Sequence, residues 1–267
     1  MGRSWRFVAT VVSFAAFGAC ALVMGVLYFG ALLVLVPRVA SRQRLARDGV
    51  RWGFRTFLRF MALVGVVKLD IDRAGLARLA ASGPCVIVAN HPTLLDAMVL
   101  LAHVKGAGCV VKHGLKRNPF LSPAILASNY VPHRDSEQLL RDCAATLTRG
   151  EPLIVFPEAT RSVPGEPLKL QRGAATIALE SDVVLEIVHF SCDPVFLSKT
   201  QAWYRIPERR PCLAARVGAS VRARDFQGDG VSRSVGARRL TDALQRELAR
   251  EIRSDARVGA GAETTAH

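Results

Sequence analysis

Acidic side chains are scarce in this sequence. Its 267 residues hold 22 Asp and Glu against 36 Lys and Arg, nearly all of the latter arginine, for a formal net charge of +14. Such an imbalance calls for an anionic partner: membrane headgroups, nucleic acid, phosphorylated substrates or an acidic carrier protein. Aromatic residues are few, at 7%. The basic stretches lack the aromatic interleaving of a base-stacking surface, which argues against nucleic acid. The cysteines (Cys20, Cys85, Cys109, Cys143, Cys192 and Cys212) include no Cys-x-x-Cys pair, and most sit in apolar runs. That excludes a disulfide framework and a zinc site, and leaves small buried hydrophobes in a reducing compartment. No Gly-x-Ser-x-Gly elbow is present, so an esterase of that type is excluded. There are no internal repeats.

The longest absence is of charge. From Phe7 to Val36 the chain reads "FVATVVSFAAFGACALVMGVLYFGALLVLV", without one ionisable acid or base of the Asp, Glu, Lys or Arg kind. One bilayer crossing needs about 20 apolar residues. The run therefore supplies one long tilted helix or a bent, re-entrant pair broken near Gly25 or Gly30. A cleaved signal peptide is the competing reading, but the run continues well past any small-residue site such as "FAAFGAC". Residues 1–36 are accordingly expected to be a membrane segment. More cations follow it than precede it, which puts the remainder of the chain in the cytoplasm.

Residues 37–66 repeat arginine at three- and four-residue steps: Arg44, Arg47, Arg51, Arg55 and Arg59, among Trp52, Phe54, Phe57, Leu58 and Met61. This predicts a basic amphipathic helix at the membrane surface, with cations toward anionic headgroups and rings toward acyl chains. The plainer alternative is a helix that covers the core.

From Val67 the pattern changes. "CVIVA" (Cys85–Ala89), "CVV" (Cys109–Val111), "LIVF" (Leu153–Phe156), "VLEIVHF" (Val184–Phe190) and "CLAARV" (Cys212–Val217) predict strands. Between them, "PTLLDAMVLLAHV", "SEQLLRDCAATLTRG" and "LKLQRGAATIALE" have helical spacing, the second capped by Asp135 or Ser136 and ended by Gly150. Residues 67–254 thus predict an α/β domain with a mixed, largely parallel sheet flanked by helices. A last helix, "GARRLTDALQRELAREIR", aligns Leu240, Leu244, Leu248 and Ile252. The small, polar tail at 255–267 is expected to be disordered.

Three strand ends present polar residues. In "VANHPTLLD", Asn90 is expected to cap the next helix and Pro92 to open it. His91 then lies on the turn, where its ring can lean toward Asp96. A carboxylate on one imidazole nitrogen fixes the tautomer and leaves the other nitrogen a competent general base. The ordinary roles for these two are a polar turn residue and a charge complementing a helix N-terminus. In "LIVFPEATRS" the strand delivers Glu158, Thr160, Arg161 and Ser162 to the edge where α/β sheets bind ligands. Arg161 is suited to bidentate phosphate binding and Glu158 to a substrate hydroxyl. In "VVKHGLKRNPF", Lys112, Lys116 and Arg117 offer an anion pocket or a basic surface loop, and "SNYVPHRD" adds Arg134. Together these fit a base acting on a hydroxyl of a phosphorylated substrate.

These stretches, in this order and spacing, resemble the glycerolipid (lysophospholipid) acyltransferase family, whose best-known members make phosphatidic acid from lysophosphatidic acid. "NHPTLLD" looks like its His-x4-Asp block and "FPEATRS" like its glycerophosphate-binding block. "KHGLKRNP", "VPHRD" and "LQRGAA" (Leu170–Ala175) look like the segments between and after them. The resemblance runs from about Val67 to Val217, and its two main blocks are highly specific. It is nearest to the bacterial branch found with aryl-polyene and related pigment-lipid pathways.

The resemblance implies His91 as the base, Asp96 as its orienting carboxylate, and Glu158, Thr160, Arg161, Arg134 and Lys112 as acceptor-binding residues. It implies direct attack on an acyl thioester, acyl-CoA or acyl carrier protein, with neither metal nor cofactor, at a bacterial inner membrane. Two departures stand out. The family's usual Gly in the second block is Ala159, strained by about 1 kcal/mol if that position needs positive φ. The late Val-Pro-Val-like strand is replaced by "LEIVHF", with Glu186 in an apolar run and His189 beside it, which bears on the acceptor. The alternatives are the same chemistry on a specialised acceptor or donor, such as a glycolipid or pigment lipid, and a non-catalytic protein that binds anionic lipid.

Overall fold

The structure is a computed structural model that describes residues 2–133, 136–228 and 230–264. The apolar N-terminal run forms helix α1 (Arg3–Val23), a π-helical segment (Met24–Gly30) and helix α2 (Ala31–Leu35). The helical path is continuous over Arg3–Leu35, with a mean hydropathy of 2.3 in its most apolar window, of which 17% is buried. Neither Gly25 nor Gly30 breaks it. Both fall inside the π-helical segment, and the break comes after Leu35, at Pro37.

Helix α3 (Val39–Leu63) returns antiparallel to α1. Trp5 Nε1 donates to the Val64 carbonyl at 2.9 Å, Phe17 stacks on Phe54 and packs on Phe57, and the Tyr28 hydroxyl donates to the Leu45 carbonyl at 2.8 Å. Gly49 lets the Tyr28 ring lie against the helix, since a Cβ there would overlap it. One face of α3 (Ala46, Val50, Phe57, Leu58, Met61) is buried in the core. Arg47 faces inward, 5% exposed: it is 3.1 Å from Glu151 and donates to the carbonyls of Ser128 and Gly106. The expectation that all five arginines point outward is corrected for this one, because an unpaired cation could not share that face with Val50 and Leu58. Arg44 and Arg59 are exposed, and Arg51 and Arg55 half-buried.

Seven strands follow: β1 (Lys68–Ile71), β2 (Cys85–Ala89), β3 (Gly108–Lys112), β4 (Val131–His133), β5 (Leu153–Val155), β6 (Val184–Asp193) and β7 (Cys212–Arg222). Their order is β1-β7-β6-β2-β5-β3-β4. β2 to β6 are mutually parallel, β7 is antiparallel to β6, and β1 runs parallel to β7. The expected mixed, largely parallel sheet is therefore present. The two strands that the sequence pattern did not announce are edges. β1 alternates exposed and half-buried residues, and β4 has three residues with a Pro at its centre.

One face of the sheet is covered by α1, α3, α4 (Arg73–Ala81), α5 (Asp96–His103) and α6 (Ser122–Ala127). The other carries α7 (Ser136–Thr148), α8 (Gly173–Ser181) and α9 (Arg233–Thr264), where Leu240, Leu244 and Leu248 are buried and Ile252 is exposed. Helix α9 runs on through 255–264, where a disordered tail was expected; 265–267 lie outside the described residues. The candidate cap Asp135 also lies outside them. Because β2, β3, β4 and β5 are parallel, the residues after each emerge at one edge of the sheet.

Candidate active site

β2 is buried at every position and stops at Ala89, its last rung with β6 (Ala89↔Val188). Asn90 does not cap a helix. Its side chain extends the β2–β6 ladder instead: Nδ2 donates to the Phe190 carbonyl at 2.8 Å, and Oδ1 accepts from the Phe190 amide at 2.7 Å. Nor does Pro92 open the helix, since α5 begins at Asp96. The physical reason is Thr93. Its amide and hydroxyl donate to the two Asp96 carboxylate oxygens at 2.7 and 2.6 Å, and its Oγ1 accepts from the Leu95 amide. This closes a turn before the first helical residue.

His91 sits on that turn. Its Nδ1 lies 2.9 Å from Asp96 Oδ2, and its ring stacks on Phe156 at 4.3 Å between centroids. The Asp96 side chain is 0% exposed and that of His91 18%. Among the described residues Nε2 of His91 has no hydrogen-bond partner. Burial pushes the Asp96 carboxyl up, against the pull of His91 and Thr93.

The turn after β5 grips the same residue by its backbone. Glu158 Oε1 accepts from the His91 amide at 2.9 Å and from Ser162 Oγ at 2.8 Å, and the Ser162 amide donates to the His91 carbonyl at 2.8 Å. Both main-chain polar groups of His91 are thus satisfied by one loop. Arg161 Nη1 donates to the carbonyls of Leu197 and Ser198 at 2.9 and 3.0 Å, and the Leu94 amide donates to the same Leu197 carbonyl. One arm of the guanidinium is therefore bonded to backbone.

The structure brings His91, Asp96, Glu158 and Arg161 into one cluster. Thr160 is exposed in the same loop, and Lys112 is exposed at the end of β3. Arg134 lies outside the described residues. Glu186 is elsewhere: buried at 7% exposure, it accepts from Ser220 Oγ at 2.7 Å across β6 and β7, and His189 is buried on the same strand. Among the described residues no three His, Cys, Asp or Glu side chains converge as metal ligands.

Residues 70–190, which include both loops, match the family described as Acyltransferase. A 1-acyl-sn-glycerol-3-phosphate acyltransferase of Helicobacter pylori is 27% identical over 192 residues, 69% of this chain and 77% of that protein. The chloroplastic enzyme BAT2 of the same description, from Brassica napus, is 33% identical over 122 residues, 43% of this chain. The crystal structure of the 1-acyl-sn-glycerophosphate (LPA) acyltransferase PlsC from Thermotoga maritima superimposes with a TM-score of 0.64, covering 91% of this chain and 98% of that one. At 20% identity that likeness shows the fold. In sequence and in fold the chain is thus similar to the 1-acyl-sn-glycerol-3-phosphate acyltransferases. It spans about a third of the length of the two chloroplastic relatives, 35% of BAT2 and 34% of LPAT1 from Arabidopsis thaliana.

Within this acyltransferase fold, Thr93 and Phe156 contact the His91–Asp96 pair without having been given a role from the sequence. Thr93 carried a signal: Thr-x-x-Asp ahead of an apolar run is the spacing of a capping box. Ala159 does adopt positive φ, at 56°. Ala159→Gly should relieve about 1 kcal/mol of strain and raise the melting temperature by about 2–4 °C. A thermal melt that shows no rise would mean that the loop has relaxed around the methyl group.

Burial raises the Glu158 carboxyl above its ordinary value, against the bonds from Ser162 and His91. A carboxyl raised in the fold contributes stability that is full below its unfolded pKa and lost as pH climbs through the folded one. Glu158→Gln keeps an oxygen for both bonds and removes this titration. Its melting temperature should gain on that of wild type as pH climbs above the ordinary carboxylate value of about 4. A pH-independent gap between the two curves would contradict it.

Proposed function

We propose that this protein is a membrane-associated O-acyltransferase that moves an acyl chain from a thioester, acyl-CoA or acyl carrier protein, to a hydroxyl of a lysophospholipid such as lysophosphatidate. The observation that carries the reading is the His91–Asp96 pair: a fully buried carboxylate 2.9 Å from Nδ1, with Nε2 left to face a reactant. Asp96 holds the proton on Nδ1. Nε2 then takes the proton of the acceptor hydroxyl as its oxygen attacks the thioester carbonyl. The C–S bond breaks, the ester C–O bond remains, and the imidazolium returns its proton to the departing thiolate. No acyl-enzyme is formed. Stacking on Phe156 and the two backbone bonds from the 158–162 loop keep the ring in place for both transfers.

Glu158, Thr160, Arg161 and Lys112, with Arg134, are the groups offered to the acceptor and its phosphate. The exposed apolar face of the Arg3–Leu35 helix, with Val26, Leu27, Val34 and Leu35 at its far end, supports insertion in a bilayer. The charge asymmetry around it supports a cytoplasmic orientation at the inner membrane, with anionic headgroups as partners. "LEIVHF" supports the second reading, a specialised acceptor such as a glycolipid or pigment lipid.

The test is thiol release from acyl-CoA and from acyl carrier protein, screened against lysophosphatidate, other lysophospholipids and glycolipids. Release should depend on the acceptor and be absent in His91→Ala. Equal release by that variant would sink the mechanism, and no release with any acceptor would favour a lipid-binding protein.

A further inference from the structure

A second polar constellation lies at the other end of α5. Arg55 and Arg59 of α3, Arg73 at the start of α4 and His103 at the end of α5 line one cleft of about 30 Å³, floored by Leu58, Leu69 and Ile71. It shares no residue with the His91 site. The two are separated by α5 itself, whose first residue is Asp96 and whose last is His103, about 10 Å apart at the rise of a helix.

The cleft is uniformly cationic. Among the described residues none of Arg51, Arg55, Arg59 and Arg73 is in an ion pair. The carboxylates nearest Arg73 in sequence have other partners. Asp70 pairs with Arg216, and Asp72 caps α4 through the Gly75 amide at 2.9 Å. His103 donates through Nδ1 to the Val99 carbonyl at 2.9 Å, which leaves its Nε2. Burial, and after it the charges of Arg51, Arg59 and Arg73, lower the pKa of Arg55. Burial and the charges of Arg55, Arg73 and Arg51 likewise lower that of His103. Three guanidinium charges around one cleft, with Arg51 one turn further along α3, repel each other unless an anion sits among them.

We infer that this cleft is a second anion site, built to take a phosphate group. Guanidinium forks match phosphate oxygens, and an apolar floor strengthens each bond by excluding water. What surrounds the mouth fits a lipid as the source. Trp52 and Leu63, 63% and 81% exposed, flank Arg55 and Arg59 along the same stripe of α3, an aromatic and an aliphatic contact on either side of the cations. A phosphate here would fix the depth and tilt of the domain against the bilayer, at a distance from the reaction. The inference does not rest on the chemistry at His91, since binding and thiol release are measured separately.

The test uses the full chain in a neutral detergent at fixed salt. Dihexanoyl phosphatidylglycerol, dihexanoyl phosphatidylcholine and inorganic phosphate are titrated calorimetrically into wild type, R55Q/R59Q/R73Q, and a control R238Q/R239Q/R246Q that removes the same charge from the exposed side of α9. Wild type and control should bind phosphatidylglycerol alike. The cleft variant should bind about a hundredfold more weakly, at about a factor of five per cation, with thiol release retained in detergent. Without ligand the cleft variant should melt higher than wild type, because repulsion has been removed, and that also reports its folding. Binding of the lipid but not of inorganic phosphate assigns the site to headgroups; binding of both assigns it to phosphate from either source. Equal losses in the two triple variants, or no loss in the cleft variant, would overturn the site.

Discussion

Asp96→Asn should lower kcat by about two to four orders of magnitude with little change in KM. The cause is the proton inventory around one buried group. Asp96 receives three donors, from the Thr93 amide, the Thr93 hydroxyl and His91 Nδ1. An amide offers one oxygen and one NH2, so it cannot accept all three. With its oxygen on Thr93, its NH2 faces His91 and can be satisfied only if Nδ1 becomes an acceptor. The imidazole proton then moves to Nε2, the nitrogen that in the proposed mechanism takes the hydroxyl proton. The side chain keeps its shape while the base is silenced, which is why kcat and not KM should respond. The measurement is thiol release at saturating acyl-CoA and lysophosphatidate.

A second comparison isolates the coupling. If Asp96 acts through His91, the double variant Asp96→Asn/His91→Ala should be no slower than His91→Ala alone. Multiplicative losses would instead assign Asp96 a separate role, and a wild-type kcat in Asp96→Asn would remove it from the mechanism altogether.

That pair was legible in the sequence because it is local. Five residues span it, and a Pro after the His keeps the turn out of the helix. What could not be read was the company it keeps. Glu158 reaches the His91 amide across 67 residues, and no periodicity encodes such a contact. Glu158 and Arg161 were expected to face a substrate, and each also has one oxygen or nitrogen bonded to protein. The type of residue was visible, but the geometry that directs it belongs to the neighbouring strand. The same divide explains α3. Its arginine period is plain, yet Arg47 and Arg51 differ only in what lies opposite them, and Glu151 comes from beyond α7. The edge strands β1 and β4 were hidden because a half-exposed or Pro-containing run of three or four residues lacks the apolar signal that marked the buried strands.

Asn90 is the residue whose expected role changed most, and its replacement should have the largest effect on stability. A helix cap lost to Ala costs about 1 kcal/mol. A side chain that satisfies both polar groups of a buried residue is a different matter. Phe190 is 1% exposed and Asn90 2%. In Asn90→Ala both the amide and the carbonyl of Phe190 lose their partner where water does not reach. At about 1–3 kcal/mol for each unsatisfied group the loss should be about 3 kcal/mol or more, a fall of about 6–12 °C in the melting temperature of a chain this size. A fall of only a few degrees would favour the cap.

Asn90→Asp sharpens the test. Its carboxylate still accepts from the Phe190 amide, but sets an anionic oxygen against the Phe190 carbonyl, so at neutral pH it should be at least as damaging as Ala. Protonation turns that oxygen into a donor. The fold should hold this proton more tightly than the unfolded chain does, so the Asp variant should recover stability relative to the Ala variant as pH falls toward the carboxylate range. Parallel melting curves for the two variants across that range would show that Asn90 does not donate to β6. The turn that carries His91 would then be held by Thr93 and the 158–162 loop alone.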